Sequence, residues 1–327
     1  MPTPTRSDMH INAAMANFTV AALQSDDAFV CFKAAPVLPV EKESDYYFTY
    51  PTGAFNRLEM RRRGTSEDSA GGGWTLSNTT YSCVNYAVHK DFDDDDAANA
   101  DAAIDPERDA VAWGENQIRM QADSIFATNC FGTSKWTSDV TGVSSSAVEG
   151  TSALHWNDAS SDPQEDVEYW KGIIKGRIGR DPNCLVVGQT THHKIIVNPQ
   201  VRDSLKYTTF TSVREVAGKL AAYFGVDQYH VAGGFYNSAA ENQTATLTQL
   251  LAAKGALLTY VDATVGKHVM TGARTFAWKR DGRGSNGIYV REFRMENLKS
   301  TRYEFELYVD VKLITADAGA YFNGIVA

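Results

Sequence analysis

The sequence predicts an α+β protein that carries a projecting two-stranded ribbon. Three observations carry this. The stretch Tyr46–Phe92 holds two β-branched, aromatic runs around a basic, Gly-rich centre. Two helical segments begin at Asp-Pro pairs, Asp105-Pro106 and Asp162-Pro163, where Asp suits the N-cap and Pro the first helical position. Near the end, Arg302–Ile314 alternates strictly, with Tyr303, Phe305, Leu307, Val309, Val311 and Leu313 on one face, as a half-buried strand requires.

Taken in order, residues 1–45 read as an N-terminal arm. It has an Ala-rich piece, Ala13–Ala22, and an extended stretch punctuated by Pro36 and Pro39; packing on its own domain is the competing reading. The ribbon follows. Its outgoing half is Tyr46–Arg63, its tip Arg61-Arg62-Arg63-Gly64 through Gly73-Trp74, and its return half Thr79–His89. The halves would reach about 35–60 Å if extended. A projection of that length is expected to lie across a neighbouring subunit, and Arg61, Arg62, Arg63, Trp74 and Tyr81 are its candidate contact residues. The run Asp91–Asp96 lacks the spacing of a calcium loop and reads as a solvated acidic turn.

A long helix is expected over Asp105–Asn129, with Val111, Ile118, Ala122, Ile125 and Phe126 as its buried stripe and Gly132 beyond its end. Gly114 weakens it unless close packing requires it. Residues 133–160 are rich in Ser, Thr, Asp and Gly and read as a loop. The second helix carries Val167, Trp170, Ile174 and Ile178 on one face, and Cys184–Gly188 follows as a buried strand. A short helix is expected from Asn198, and another unit from about Thr211. That unit has a helix bearing Val213, Val216, Leu220 and Phe224, then strands at 228–232, 256–261 and 275–278, and a turn at Asp281–Gly287.

With 31 Lys and Arg against 40 Asp and Glu, the chain has a net charge of −9. That disfavours a protein that grips nucleic acid, though not one that encloses it. No apolar run approaches a membrane span, and no secretory signal is visible at the N-terminus. Cys31, Cys83, Cys130 and Cys184 are scattered and read as buried thiols. No nucleophile-elbow, zinc-protease, P-loop or dinucleotide motif occurs. The adjacent pair His192-His193 diverges on a helix or strand and suits one metal poorly. No catalytic, cofactor or metal residue is therefore expected.

The order of parts, with the segments Arg61–Trp74, Thr80-Tyr81-Ser82-Cys83, Asn183–Gly188, Asn198–Leu205 and Val311–Gly319, resembles the major capsid proteins of tailed double-stranded DNA bacteriophages, the Hong Kong 97-type fold. The resemblance implies an extended loop at 46–92 and a spine helix at Asp105–Asn129 bearing Val111, Ile118, Ile125 and Phe126. It implies a peripheral domain at 93–210 that recovers a return strand at 302–315, and an axial domain at 211–301 with the tail 316–327. It further implies self-assembly into hexamers and pentamers of an icosahedral head. Such a head encloses double-stranded DNA and forms in the bacterial cytoplasm, with a scaffolding protein, a portal and in some members a decoration protein as partners. An encapsulin-type shell with protein cargo is the nearest alternative, and a hydrolase a remote one.

Overall fold

In the computed structural model, residues 24–49, 53, 57–95, 106–205, 213–264, 270–280 and 287–327 are described. Two sheets with one long helix between them organise these residues. The first, sheet I, has five strands: β1 (Val37–Val40), β4 (Val84–Asp93), β12 (Ala273–Trp278), β13 (Ile288–Met295) and β14 (Ser300–Leu313). Strand β14 is its axis. Residues 300–307 pair with β13 on one edge and with β4 on the other, and β12 pairs with 309–313. The alternation read from the sequence places Phe305, Leu307, Val309 and Val311 in the core. Glu306 and Tyr308, on the opposite face, are buried as well.

Sheet II has six strands in the order β6 (Ser152–Leu154), β5 (Ser138–Val143), β15 (Gly319–Asn323), β11 (Ala256–Thr259), β7 (Cys184–Gly188) and β8 (Gln228–Ala232). All five residues of β7 are buried. Leu185 and Val187 face one core, and Cys184 and Val186 the other. Two-sided burial of a central strand explains its unbroken apolar sequence.

Helix α1 (Cys31–Ala34) is short; α2 (Pro106–Asn129) is the long spine. Among the described residues of α2, Ala110, Gly114, Ile118, Ala122, Asp123 and Phe126 are buried. A Cβ on Gly114 would come within 2.4 Å of the Phe305 ring, so glycine here permits the helix to approach β14. Val111 is 38% exposed, which corrects its expected place in the stripe. The ridge follows steps of four from Ala110, and Val111 lies about 100° round from it. Ile125 is only partly buried. The expected cap Asp105 lies outside the described residues.

Helix α3 (Pro163–Ile178) forms as its sequence dictates. The Asp162 carboxylate accepts from the amides of Gln164 and Glu165 at 3.0 and 3.2 Å, Gly179 closes the helix at φ 72°, and the expected apolar face is buried. Helices α4 (Gln189–Val197), α5 (Pro199–Leu205) and α6 (Val213–Tyr223) complete the layer, with Leu220 and Phe224 buried. Asn198 joins two of them. Its Oδ1 accepts from the Gln200 amide at 2.8 Å, and its Nδ2 donates to the Trp156 carbonyl at 2.9 Å.

Several expectations change. From Gln24 onward the arm is woven into its own subunit: Val30, Cys31, Ala34 and Ala35 are buried, and β1 pairs in parallel with β12. Residues 1–23 and the turn over 281–286 lie outside the described residues. The segment 133–160 contains β5 and β6 and two buried tryptophans, Trp136 and Trp156. Its strands are short and polar, and β5 pairs with β15, distant in sequence, so local composition conceals them. Strands β13 and β15 add to the sheets beyond those the sequence predicts. The acidic run is not simply solvated. Arg302 clasps Asp91 through bonds of 2.7 and 2.8 Å, and Arg294 pairs both oxygens of Asp94. Finally, the expected division at 210/211 does not follow the sheets. Strands at 184–188 and 228–232 pair directly, whereas 273–278 pairs with β14.

Candidate inter-subunit ribbon

The ribbon is shorter than the sequence suggests, and its return half is divided. Strand β2 (Ser44–Thr49) pairs antiparallel with β3 (Ser77–Ser82), from Ser44↔Ser82 to Thr49↔Ser77. After Cys83 the chain leaves the ribbon and enters sheet I as β4. Tyr86 and Val88 therefore pack against the core shared with α2.

An aromatic clamp fixes the base. The Tyr81 ring stacks on Phe276 at 4.6 Å with 5° between planes, and Tyr47 leans on the same ring at 5.2 Å. The Cys83 amide donates to the Glu43 carbonyl and the Ser82 amide to Asp310 Oδ2, both at 2.9 Å. Burial pushes the Cys83 thiol up to about 12, so it is a poor thiolate source. Tyr81 is 6% exposed and serves this clamp within its own subunit, a correction to its expected contact role.

The opposite face of β2 is bare. Tyr46 and Phe48 are exposed there, and every residue from 57 to 76 except Glu59 is exposed. Leu58 and Met60 are about 90% exposed, and Trp74 and Leu76 are exposed too. So many exposed large apolar side chains in one segment are uncommon on the surface of a lone subunit. Arg61, Arg62 and Arg63 share the segment; the Arg63 Nε donates to the Glu67 carbonyl at 2.5 Å. The sequence pointed to Trp74 and the arginines but not to Tyr46, Phe48, Leu58, Met60 or Leu76. Alternation in 44–49 separates two faces without saying which one the subunit covers.

Among the described residues no group of three His, Cys, Asp or Glu could hold a metal, and no helix is long and apolar enough to cross a membrane. His192 Nδ1 lies 2.9 Å from the Tyr229 hydroxyl, and burial lowers its pKa. Cys130 and Cys184 are pushed up to about 12 by burial.

No protein-family model matches the sequence, and neither does any curated protein. Solved structures do match. A phage-related protein of Bordetella bronchiseptica RB50 is 20% identical with a TM-score of 0.67, over 92% of this chain and 94% of that one. A chain of the capsid structure of the cyanophage P-SCSP1u is 10% identical with a TM-score of 0.57, over 98% of each chain. The chain has the Hong Kong 97-type fold. The encapsulin of the holo-SrpI complex from Synechococcus elongatus PCC 7942 shares it, at 12% identity and a TM-score of 0.55 over 95% of this chain and 93% of that one.

Proposed function

We propose that this chain is the major capsid protein of a tailed double-stranded DNA phage, a structural subunit that assembles into hexamers and pentamers of an icosahedral head. The observation that carries the reading is the anchored ribbon: its base is clamped to the subunit, while Tyr46, Phe48, Leu58, Met60, Trp74 and Leu76 are exposed to solvent. A head-to-tail contact between such a projection and the body of the next copy closes into rings. Many modest contacts then act together at high effective concentration. The shells named among the structural neighbours support the same reading. A net charge of −9 suits a wall that encloses DNA without holding it. Sheet I with α2 would form the peripheral part and sheet II the axial part, replacing the division at 210/211.

Electron microscopy of the expressed protein tests this directly. Closed particles or capsomers are the expected product. Leu58→Ser, Met60→Ser and Trp74→Ser together should leave a folded subunit with unchanged thermal stability and remove the particles. A wild-type protein that stays monomeric at high concentration overturns the reading. Particles that enclose an enzyme and exclude nucleic acid would assign a protein-cargo compartment instead.

A further inference from the structure

Strand β13 forms an outer edge of sheet I. It pairs with β14 from Ile288↔Leu307 to Met295↔Ser300, and among the described residues nothing pairs with its far side. The Tyr308 amide donates to the Gly287 carbonyl at 2.8 Å. Bonded positions alternate in an antiparallel ladder, so the odd-numbered residues of β13 turn their amides and carbonyls to β14. Those of Val290, Glu292 and Arg294 point outward. An open row of such groups is a template for another strand.

Side chains along this edge are open too. Glu292, Phe293 and Arg294 are exposed in succession. Phe293 is 42% exposed and Val290 52%. Helix α2 lies over β14 and β4, with Gly114 against Phe305 and Ile118 in one core with Tyr86 and Val88. Val290 pairs with Phe305 and shares its face, yet it stays exposed beyond the helix. In β4, the other outer strand, Val84 beside the ribbon is the one large apolar residue exposed among those described.

We propose that β13 pairs antiparallel with β13 of a second copy, across a two-fold axis normal to the sheet. Residues opposite each other in a ladder share a face, so such an axis passes through a residue and not between two. Centring it on Arg291, Glu292 or Arg294 would set like charges opposite each other, which destabilises a sheet. Centring it on Phe293 sets ring against ring on the axis. On either side Glu292 then faces Arg294 of the partner subunit, and their outward backbone groups bond. The Arg294 guanidinium is already held in place by Asp94 of its own copy. One sheet would run through both copies. This contact is isologous and complete with two copies. It goes beyond the head-to-tail ring contact proposed for the ribbon, and it would join subunits of neighbouring rings.

Single-cysteine substitutions at each position from Val290 to Met295, in the full-length chain, test the register. The four native thiols are buried, and the unsubstituted chain gives the background. Opposed residues on a non-bonded rung lie about 4.5 Å apart at Cα, within disulfide reach. Under mild oxidation Phe293→Cys should give a linked dimer on non-reducing gels, and cysteines at 290, 292 and 294 should not. In the Phe293→Cys chain, adding Glu292→Arg or Arg294→Glu sets like charges opposite each other on both flanking rungs and should remove the dimer. Mixing the two variants restores opposite charges and should bring it back, which a folding defect would not allow. Linking that is strongest at Arg291 or Glu292 overturns the register. No link at any position, or no recovery on mixing, overturns the pairing. In the chain with Leu58→Ser, Met60→Ser and Trp74→Ser the dimer should persist while particles are lost. Particles without the dimer overturn the two-fold pairing alone, and a dimer from a wild-type ribbon that never yields particles overturns the shell reading alone.

Discussion

Asp123 is a fully buried carboxylate at the join between α1 and α2. It sits in α2 with no exposure, and its carboxylate accepts from the Val30 amide at 3.1 Å and the Cys31 amide at 2.8 Å. It therefore fastens the first turn of α1 to the spine helix. Burial raises its pKa from 3.8 to about 6, against the lowering effect of those two amides. Asp166, whose Oδ2 accepts from the Trp156 Nε1 at 2.9 Å, is raised to about 6 for the same reason. The folded protein thus holds protons at these sites that the unfolded chain releases. Stability from this source is fully present below pH 3.8 and is lost as pH rises through about 6. At about 1.4 kcal/mol per pKa unit, the Asp123 shift corresponds to about 3 kcal/mol. The expected outcome for Asp123→Asn, which keeps an acceptor, is a flatter stability curve between pH 4 and pH 6 in denaturant titrations. Asp123→Ala should cost about 1–3 kcal/mol for each amide it orphans at acid pH, and the cost should shrink as pH rises through about 6. An unchanged pH slope in Asp123→Asn would count against the burial argument.

Element packing depends on two close approaches. The first is α2 over β14 at Gly114, where an added Cβ meets the Phe305 ring at 2.4 Å. Alanine would favour the helix by about 1 kcal/mol, but forcing the ring aside costs about 1–3 kcal/mol. Gly114→Ala should therefore lower the denaturant midpoint, and Phe305→Leu in the same chain should recover part of the loss. The second is the clamp at the ribbon base. Removing one ring by Tyr81→Ala takes away the stacked partner of Phe276 and forfeits an aromatic pair worth about 0.5–1.5 kcal/mol beyond its buried area. Amide exchange should accelerate at 44–49 and 77–82 while β14 stays protected. Equal acceleration in β14 would show that the ribbon and sheet I open as one unit.

At the scale of the whole molecule, α2 shares one core with both sheets. Its Ile118, Ala122 and Phe126 cluster with Phe305, Leu307 and Val309 of sheet I and with Val186, Leu257 and Tyr321 of sheet II. With the body tied together this way, the proposed contact with a neighbour falls to the exposed ribbon. If Arg61, Arg62 and Arg63 meet acidic groups there, reversing all three to Glu should weaken assembly at low salt and invert its salt response, so that added salt promotes assembly, since exposed charges are screened within about 10 Å at 0.1 M salt. Light scattering across a salt series reads this. Assembly unchanged in extent and salt response would assign the arginines to solubility alone.

The sequence by itself settled what local chemistry can settle. Asp162-Pro163 and Gly179 bracket α3, the alternation in 302–313 aligns β14, and the unbroken apolar run 184–188 is a strand buried on both faces. Gly114 was legible as a cost in want of a reason, and Trp74 and the arginines as candidates for contact. Partnership between distant segments was left to the tertiary structure. It alone split the return half at Cys83, moved Tyr81 from the neighbour's side to its own clamp, paired 184–188 with 228–232 across the expected boundary, and drew Asp91 and Asp94 to Arg302 and Arg294. The physical reason is that capping, turns and periodicity act within a few residues, whereas strand pairing and the covering of an apolar face depend on which remote surface arrives. Alternation shows that a strand has two faces; only the packed chain shows which one is left for another molecule.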